Sequence, residues 1–214
     1  ALAAVGATGS VSFLILGFTQ GLTTGFTVLT AQRFGAGDRE GMRKSIGSAA
    51  ILSVIVTIVM TAVSMAGMDS LLRVMNTPED IFDMTKEYIM IICAGIFTQV
   101  MYNLLAGILR ALGNSKTPLY FLLFSAVLNI VLDLALVYGI RMGIKGAAIA
   151  TVISQIVSGI GICIYTWMKM PELRFSLRPE RIKESQSVMG EVVRYSAAVS
   201  YTHLRAHETL MNLV

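Results

Sequence analysis

Apolar residues in this chain gather in long blocks separated by short polar breaks. Five blocks reach the length of about 20 residues that a helix needs to cross a bilayer. They cover about residues 10–31, 45–67, 88–112, 119–140 and 146–168. Runs of this length predict helices, because a chain in lipid must satisfy its own backbone hydrogen bonds. The fold expected is all-α, a polytopic membrane bundle of five transmembrane helices.

The blocks differ in character. The first is polar for a spanning helix, with Thr19, Gln20, Thr23, Thr24, Thr27 and Thr30. It also carries Gly17, Gly21 and Gly25 at a spacing of four, which leaves bare backbone on one face for a neighbouring helix to approach. The second is rich in Ile, Val and Met, without charge, and is expected to face lipid more than the others. Before the third, Thr77-Pro78-Glu79-Asp80 reads as a helix start, with Thr77 as cap, Pro78 in the first turn and acids at the positive helix end. An amphipathic stretch over 78–87 leads into that span. Gly113-Asn114 ends the third helix and Thr117-Pro118 opens the fourth, so the two are antiparallel neighbours. The fifth ends in Tyr165 and Trp167, suited to the headgroup layer. Its Ala147, Thr151, Ser154, Gln155 and Ser158 share one small, polar face, which should look into the bundle.

Beyond the fifth block the pattern changes. Residues 169–194 are polar and charged and read as a linker, and residues 195–199 as the start of a truncated further helix. Residues 200–214 include SYTHLRAHET, which resembles a translated sequencing-adapter tail and is set aside as non-native. His203 and His207 stand one helical turn apart beside Glu208, a spacing that can hold a metal, but all three lie in that tail. The chain opens at Ala1 without Met and without a basic-then-apolar leader, which reads as a truncated start.

Composition sharpens the membrane reading. The chain is 55% hydrophobic and 14% charged, against about 25% charged in soluble domains. A water-soluble fold of 214 residues has no way to hide that much apolar surface. The net charge of +4 gives no case for nucleic acid, because the basic residues cluster between apolar blocks. Arg33, Arg39, Arg43, Lys44, Arg110, Lys116 and the basic residues of the linker fall on one side. Only Arg73, Lys86, Arg141 and Lys145 fall on the other. The basic side is expected to be cytoplasmic, in a bacterial inner membrane. That sidedness places Ala1 outside and implies one helix before it. Cys93 and Cys163 lie inside apolar blocks and read as small packed hydrophobes with no disulfide framework.

Candidate chemistry centres on the fourth block, LYFLLFSAVLNIVLDLALVYGI, which holds Asn129 and Asp133. A charged Asp at bilayer depth costs ~2.5–3.5 kcal/mol on insertion scales and marks an ion or substrate site. Standing four apart, the two residues share a helix face. A carboxylate beside an amide carbonyl suits a proton or a hard cation such as sodium. Gln99 and Asn103 are four apart on the third block, and Thr151 and Gln155 four apart on the fifth. With Gln20 they are candidates to line a cavity. Interhelical hydrogen bonding, worth ~0.6 kcal/mol on average, is the competing role for Gln99, Thr151 and Gln155. It suits Asp133 less, since the spans hold no basic residue to pair with it. Apart from sodium at Asp133, no metal site is expected. No nucleophile and base stand at a plausible spacing, so the chain is not read as an enzyme.

Taken in order, ALAAVGATGS, GFTQGLTTGFTVLTAQRFGAGD, YNLLAGILRALGNSKTPLYF, LNIVLDLALVYGI and GAAIATVISQ resemble the multidrug and toxic compound extrusion (MATE) transporters. Within that family they are similar to the bacterial branch that includes the DNA-damage-inducible protein F type. The resemblance implies twelve helices in two six-helix lobes and the exchange of protons or sodium for organic, often cationic, compounds, without a cofactor. It makes this chain the second to sixth helices of the amino-terminal lobe plus the linker to the seventh. It assigns Asp133, Asn129, Thr151 and Asn103 to cation binding. The family's acid on the first helix and its carboxyl-terminal lobe are not in the chain, so the fragment is not expected to transport alone. A lipid-linked precursor flippase of the same broad fold is an alternative, but it calls for basic residues in the spans. A non-transporting membrane assembly subunit is another.

Overall fold

The computed structural model describes residues 2–74, 77–170 and 179–211. Among them every regular element is a helix. In chain order these are α1 (Leu2–Gly35), α2 (Arg39–Val74), α3 (Glu79–Ala94), α4 (Ile96–Ala111) and α5 (Lys116–Asp133). A π-helical segment (Leu134–Gly139), α6 (Gly143–Lys169), α7 (Pro179–Ser187) and α8 (Met189–Met211) follow.

The helices stack as a layered bundle. α1 packs against α8, α2 and α4, while α6 packs against α5, α4 and α3. α4 is the shared middle element. Near one end, Phe26, Leu29, Met42, Ile46, Leu104, Ile108 and Val192 form an apolar cluster joining α1, α2, α4 and α8. Near the other, Ile15, Met68, Leu72, Ile89, Cys93, Ile96 and Val100 join α1 to α4. The threonines of α1 fit among apolar neighbours because they bond within the helix. Thr19 donates to the Ile15 carbonyl (2.6 Å), Thr23 to that of Thr19 (2.9 Å) and Thr27 to that of Thr24 (2.8 Å).

Three expected spans appear as single long helices: α2, α5 with its π segment, and α6. The third does not. Its run is two helices meeting at Gly95 with a bend of 43°. The sequence shows an apolar run on both sides of Gly95; the break comes from packing. A Cβ there would lie 2.9 Å from Val152 Cγ2, so the glycine lets α6 press against the corner. Among the described residues three helices, or four if the bent pair is one span, are long and apolar enough to cross a membrane, against five expected. The side chains of residues 2–14, at the start of α1, lie outside the described residues.

Further expectations need correction. α2 is not the most lipid-facing helix: 39% of its apolar window is buried, whereas none of the α5 window is. α2 packs on α1, α3, α4, α7 and α8, and α5 mainly on α6, which explains the reversal. Thr77 does not cap α3. Pro78 occupies the cap position with ψ 142°, and no side chain bonds to the helix end. Cys93 is buried as expected, but Cys163 is exposed, on the outer α6 face with Ile160, Ile164 and Trp167. The turn at Gly113 (φ +84°) follows expectation, with Asn114 N–H bonding back to the Leu109 carbonyl at 2.9 Å. The stretch read as a linker contains α7 and the first turns of α8. The α8 backbone continues to Met211, while the side chains of His203, His207 and Glu208 lie outside the described residues, as do residues 171–178 and 212–214.

Candidate functional site

Four helices converge on a cavity of about 330 Å³ to which they bring mainly polar residues. α1 contributes Gln20, and α4 contributes Gln99, Tyr102 and Asn103. α5 contributes Ser125 and Asn129 among apolar neighbours, and α6 contributes Thr151, Ser154, Gln155 and Ser158. The spacings explain the convergence. Residues three and four apart stack on one face, so Gln99 with Asn103, Ser125 with Asn129, and Thr151 with Gln155 each present two polar groups to the same space.

Hydrogen bonds fix the α5–α6 wall. Asn129 Nδ2 donates to Thr151 Oγ1 at 3.4 Å, and Thr151 Oγ1 donates to the Ala147 carbonyl at 3.0 Å. Ser125 donates to the Ser154 carbonyl (3.1 Å), and Ser158 reaches across to the Phe121 carbonyl (3.2 Å). These serines are committed to holding helices together. Tyr102 is similarly tied, its hydroxyl donating to the Pro118 carbonyl at 2.7 Å. The four amides Gln20, Gln99, Asn103 and Gln155 carry most of the remaining bonding capacity of the lining.

Asp133 stands apart from this set. It lies one turn beyond Asn129 on α5, is half-buried, and is not part of the cavity lining. Its Oδ1 is enclosed and has no hydrogen-bond partner, and the same holds for Asn103 Nδ2. An enclosed polar atom without a partner is costly unless another group, water or ion completes it. Directly after Asp133 the backbone changes from α to π geometry. Such segments are rare and recur at functional sites, where they redirect a face of the helix. The two lysines at the far end are already paired, Lys86 with Asp69 (2.6 Å) and Lys145 with Glu87 (2.9 Å). Neither lysine neutralises Asp133.

Thus the cavity gathers six of the seven expected site residues, Gln20, Gln99, Asn103, Asn129, Thr151 and Gln155, with Asp133 adjoining it. Tyr102 and Ser125 were not singled out in the sequence. Each lies one helical turn from a named residue, Gln99 and Asn129 respectively, and that spacing was the available signal. Among the described residues no three His, Cys, Asp or Glu side chains gather as a metal site.

Comparison with known proteins places this architecture. The MatE family model matches residues 1–135, well over half of the chain. The probable multidrug resistance protein YoeA of Bacillus subtilis is 31% identical over 205 residues, covering 94% of this chain and 44% of that protein. DNA damage-inducible protein F of Escherichia coli is 29% identical over 153 residues, covering 71% of this chain and 33% of that one. A crystal structure of MATE in complex with MaD5 superposes with a TM-score of 0.86 at 29% identity, covering 98% of this chain and 48% of that one. The chain therefore spans less than half the length of these relatives. With its apolar helices and this match, it is an integral membrane protein of the MatE family of multidrug and toxic compound extrusion transporters.

Proposed function

We propose that the chain forms the cation-handling half of a secondary multidrug exporter, which exchanges protons or sodium for organic, often cationic, compounds by alternating access. The observation that carries this reading is the enclosed, unpaired Oδ1 of Asp133 beside the Asn129–Thr151 pair. A carboxylate held without a basic partner in a lipid-embedded bundle is neutralised by whatever small cation reaches it. The donors nearby suit this role. Asn129 and Thr151 supply neutral oxygens, and hard cations prefer oxygen ligands. Asn103, across the cavity on α4, offers a further amide. When an ion binds, the charge of the site changes, and a charge change at an enclosed position favours one arrangement of the surrounding helices over another.

The cavity supports the export half of the reading. Its lining sets polar groups within a larger apolar surface, carries no formal charge, and includes Tyr102 and Leu122. Such a space suits organic molecules that combine an aromatic or aliphatic body with hydrogen-bonding groups. A flippase for phosphate-bearing lipids would need basic lining residues, and the lining has none. The whole exporter requires the remaining half of its length, and in this reading the fragment by itself is not competent. The basic loops lie on the cytoplasmic side of a bacterial inner membrane.

Asp133→Asn in the intact parent transporter tests the assignment. The substitution keeps size and removes the ionisable group. Export of a fluorescent organic cation is expected to fall to the background of cells lacking the transporter, with the protein still present in the membrane. Export at the parental rate by that variant would refute the role of Asp133.

A further inference from the structure

At the basic end of the bundle, the α4–α5 turn and the end of α6 bring three cations to one corner. Asn114, in the turn, donates its amide to the Tyr165 hydroxyl of α6 at 3.5 Å. Lys116 opens α5 just after Asn114, and Lys169 ends α6 one turn beyond Tyr165. Arg110 arrives from α4 along the stripe Tyr102, Ala106, Arg110, which advances one turn at a time. Tyr102 bonds the Pro118 carbonyl at 2.7 Å, and Ala106 packs with Ile162, Phe121 and Tyr165. That stripe therefore faces the start of α5 and the end of α6, with Arg110 at its tip. These cations lack the partners that other bases have. Arg33, Lys44, Lys86 and Lys145 each meet a carboxylate within 2.9 Å. Arg110, Lys116 and Lys169 are exposed, and among the described residues none of them forms an ion pair. The sequence explains why: between Glu87 and Glu172 the one acid is Asp133, at the opposite end of α5. Like charges held at one corner repel unless an anion joins them.

We infer that this corner is a binding site for an anionic phospholipid, with the phosphate among Arg110, Lys116 and Lys169 and the acyl chains along the adjoining faces of α5 and α6. Each part of the ligand has its counterpart. Arginine presents parallel N–H groups that match phosphate oxygens, and the lysines add compact charge. The Tyr165 hydroxyl accepts from Asn114 and keeps its own proton to donate to a phosphate oxygen. Just inside the corner the surface turns apolar: Leu119 and Leu123 on α5, with Ile164 and Met168 on α6, are all more than half exposed. A free anion would meet the same charges but gain nothing from the apolar faces, so the combination selects a ligand with both parts. Basic pockets between membrane helices recognise anionic headgroups on this principle. Binding here involves neither Asp133 nor the cavity, so the corner and the ion site are tested separately.

The test uses the full-length parent, with every tryptophan except Trp167 replaced by phenylalanine, in phosphatidylcholine nanodiscs. Trp167 is exposed and stands beside the corner, so lipid brominated high on its acyl chains quenches it on contact. Brominated phosphatidylglycerol is expected to quench at about one-tenth of the mole fraction that brominated phosphatidylcholine needs. Arg110→Gln, Lys116→Gln and Lys169→Gln are each expected to weaken this preference about fivefold, and the triple variant to abolish it. Quenching by brominated phosphatidylcholine is expected to stay unchanged in every variant, so a displaced helix does not mimic the loss. Equal quenching by the two lipids in the parent overturns the site, as does an undiminished preference in the triple variant. The same loss from Arg43→Gln, Lys183→Gln and Arg194→Gln together, three exposed cations on other elements, also overturns it, because overall surface charge then accounts for the preference. Loss of the preference on adding millimolar inorganic phosphate at constant ionic strength would replace the lipid with a free anion.

Discussion

At the scale of single residues, what singles out Asp133 is the lack of any compensating group. Asn129 has Thr151, the α1 threonines have carbonyls one turn back, and the lysines at the outer end have carboxylates. Asp133 Oδ1 has nothing. The sequence made this residue visible because a carboxylate inside an apolar block is improbable without a function. It did not show that Asp133 sits beside the cavity rather than in its wall, since helical spacing alone puts it on the Asn129 face. Where the helix passes into π geometry that spacing changes, and no residue from Leu134 to Gly139 advertises it. Thr151 offers a graded test. Thr151→Val removes the acceptor of the Asn129 amide while keeping volume, and a membrane hydrogen bond of ~0.6 kcal/mol corresponds to about threefold weaker apparent affinity for the coupling ion. Titration of export rate against proton or sodium concentration in the intact transporter measures it.

At the scale of elements, packing decided what periodicity left open. Long apolar blocks announce helices, and Gly113 with Asn114 announces a stop, so the end of α4 and the start of α5 were legible. The corner at Gly95 was not, because the glycine sits between the apolar Ala94 and Ile96 and acts through Val152, far along the chain. Filling that corner is expected to be felt. Gly95→Val presses new methyl groups against α6, and overpacking of this kind costs ~1–3 kcal/mol. A lower thermal midpoint for the purified parent variant, with export reduced in proportion to the surviving fold, is the expected outcome. An unchanged midpoint would mean that α3 and α4 bend for another reason. The exposure of α5 was equally hidden. Its sequence resembles that of any buried spanning helix, and only the arrangement of neighbours reveals that it rests chiefly on α6.

At the scale of the whole molecule, the asymmetry of basic residues sets the sidedness of the account. α5 and its π segment run between Lys116 and Arg141, at opposite ends of one candidate span. A single cysteine introduced as Arg141→Cys in the parent is expected to react in intact cells with an impermeant thiol reagent. Lys116→Cys is expected to react only after the membrane is opened. The reverse pattern would invert the topology and move the corner of Arg110, Lys116 and Lys169 to the outer face. The central claim is that Asp133 is an exchangeable ion site. Carbodiimide modification of that carboxyl, followed by mass spectrometry of the intact transporter in membranes, tests it most directly. The account predicts that labelling of Asp133 changes with the coupling ion, rising with acid or falling with added sodium, while labelling of Glu40 and Glu191 does not follow it. Labelling of Asp133 that is indifferent to both ions would contradict the account.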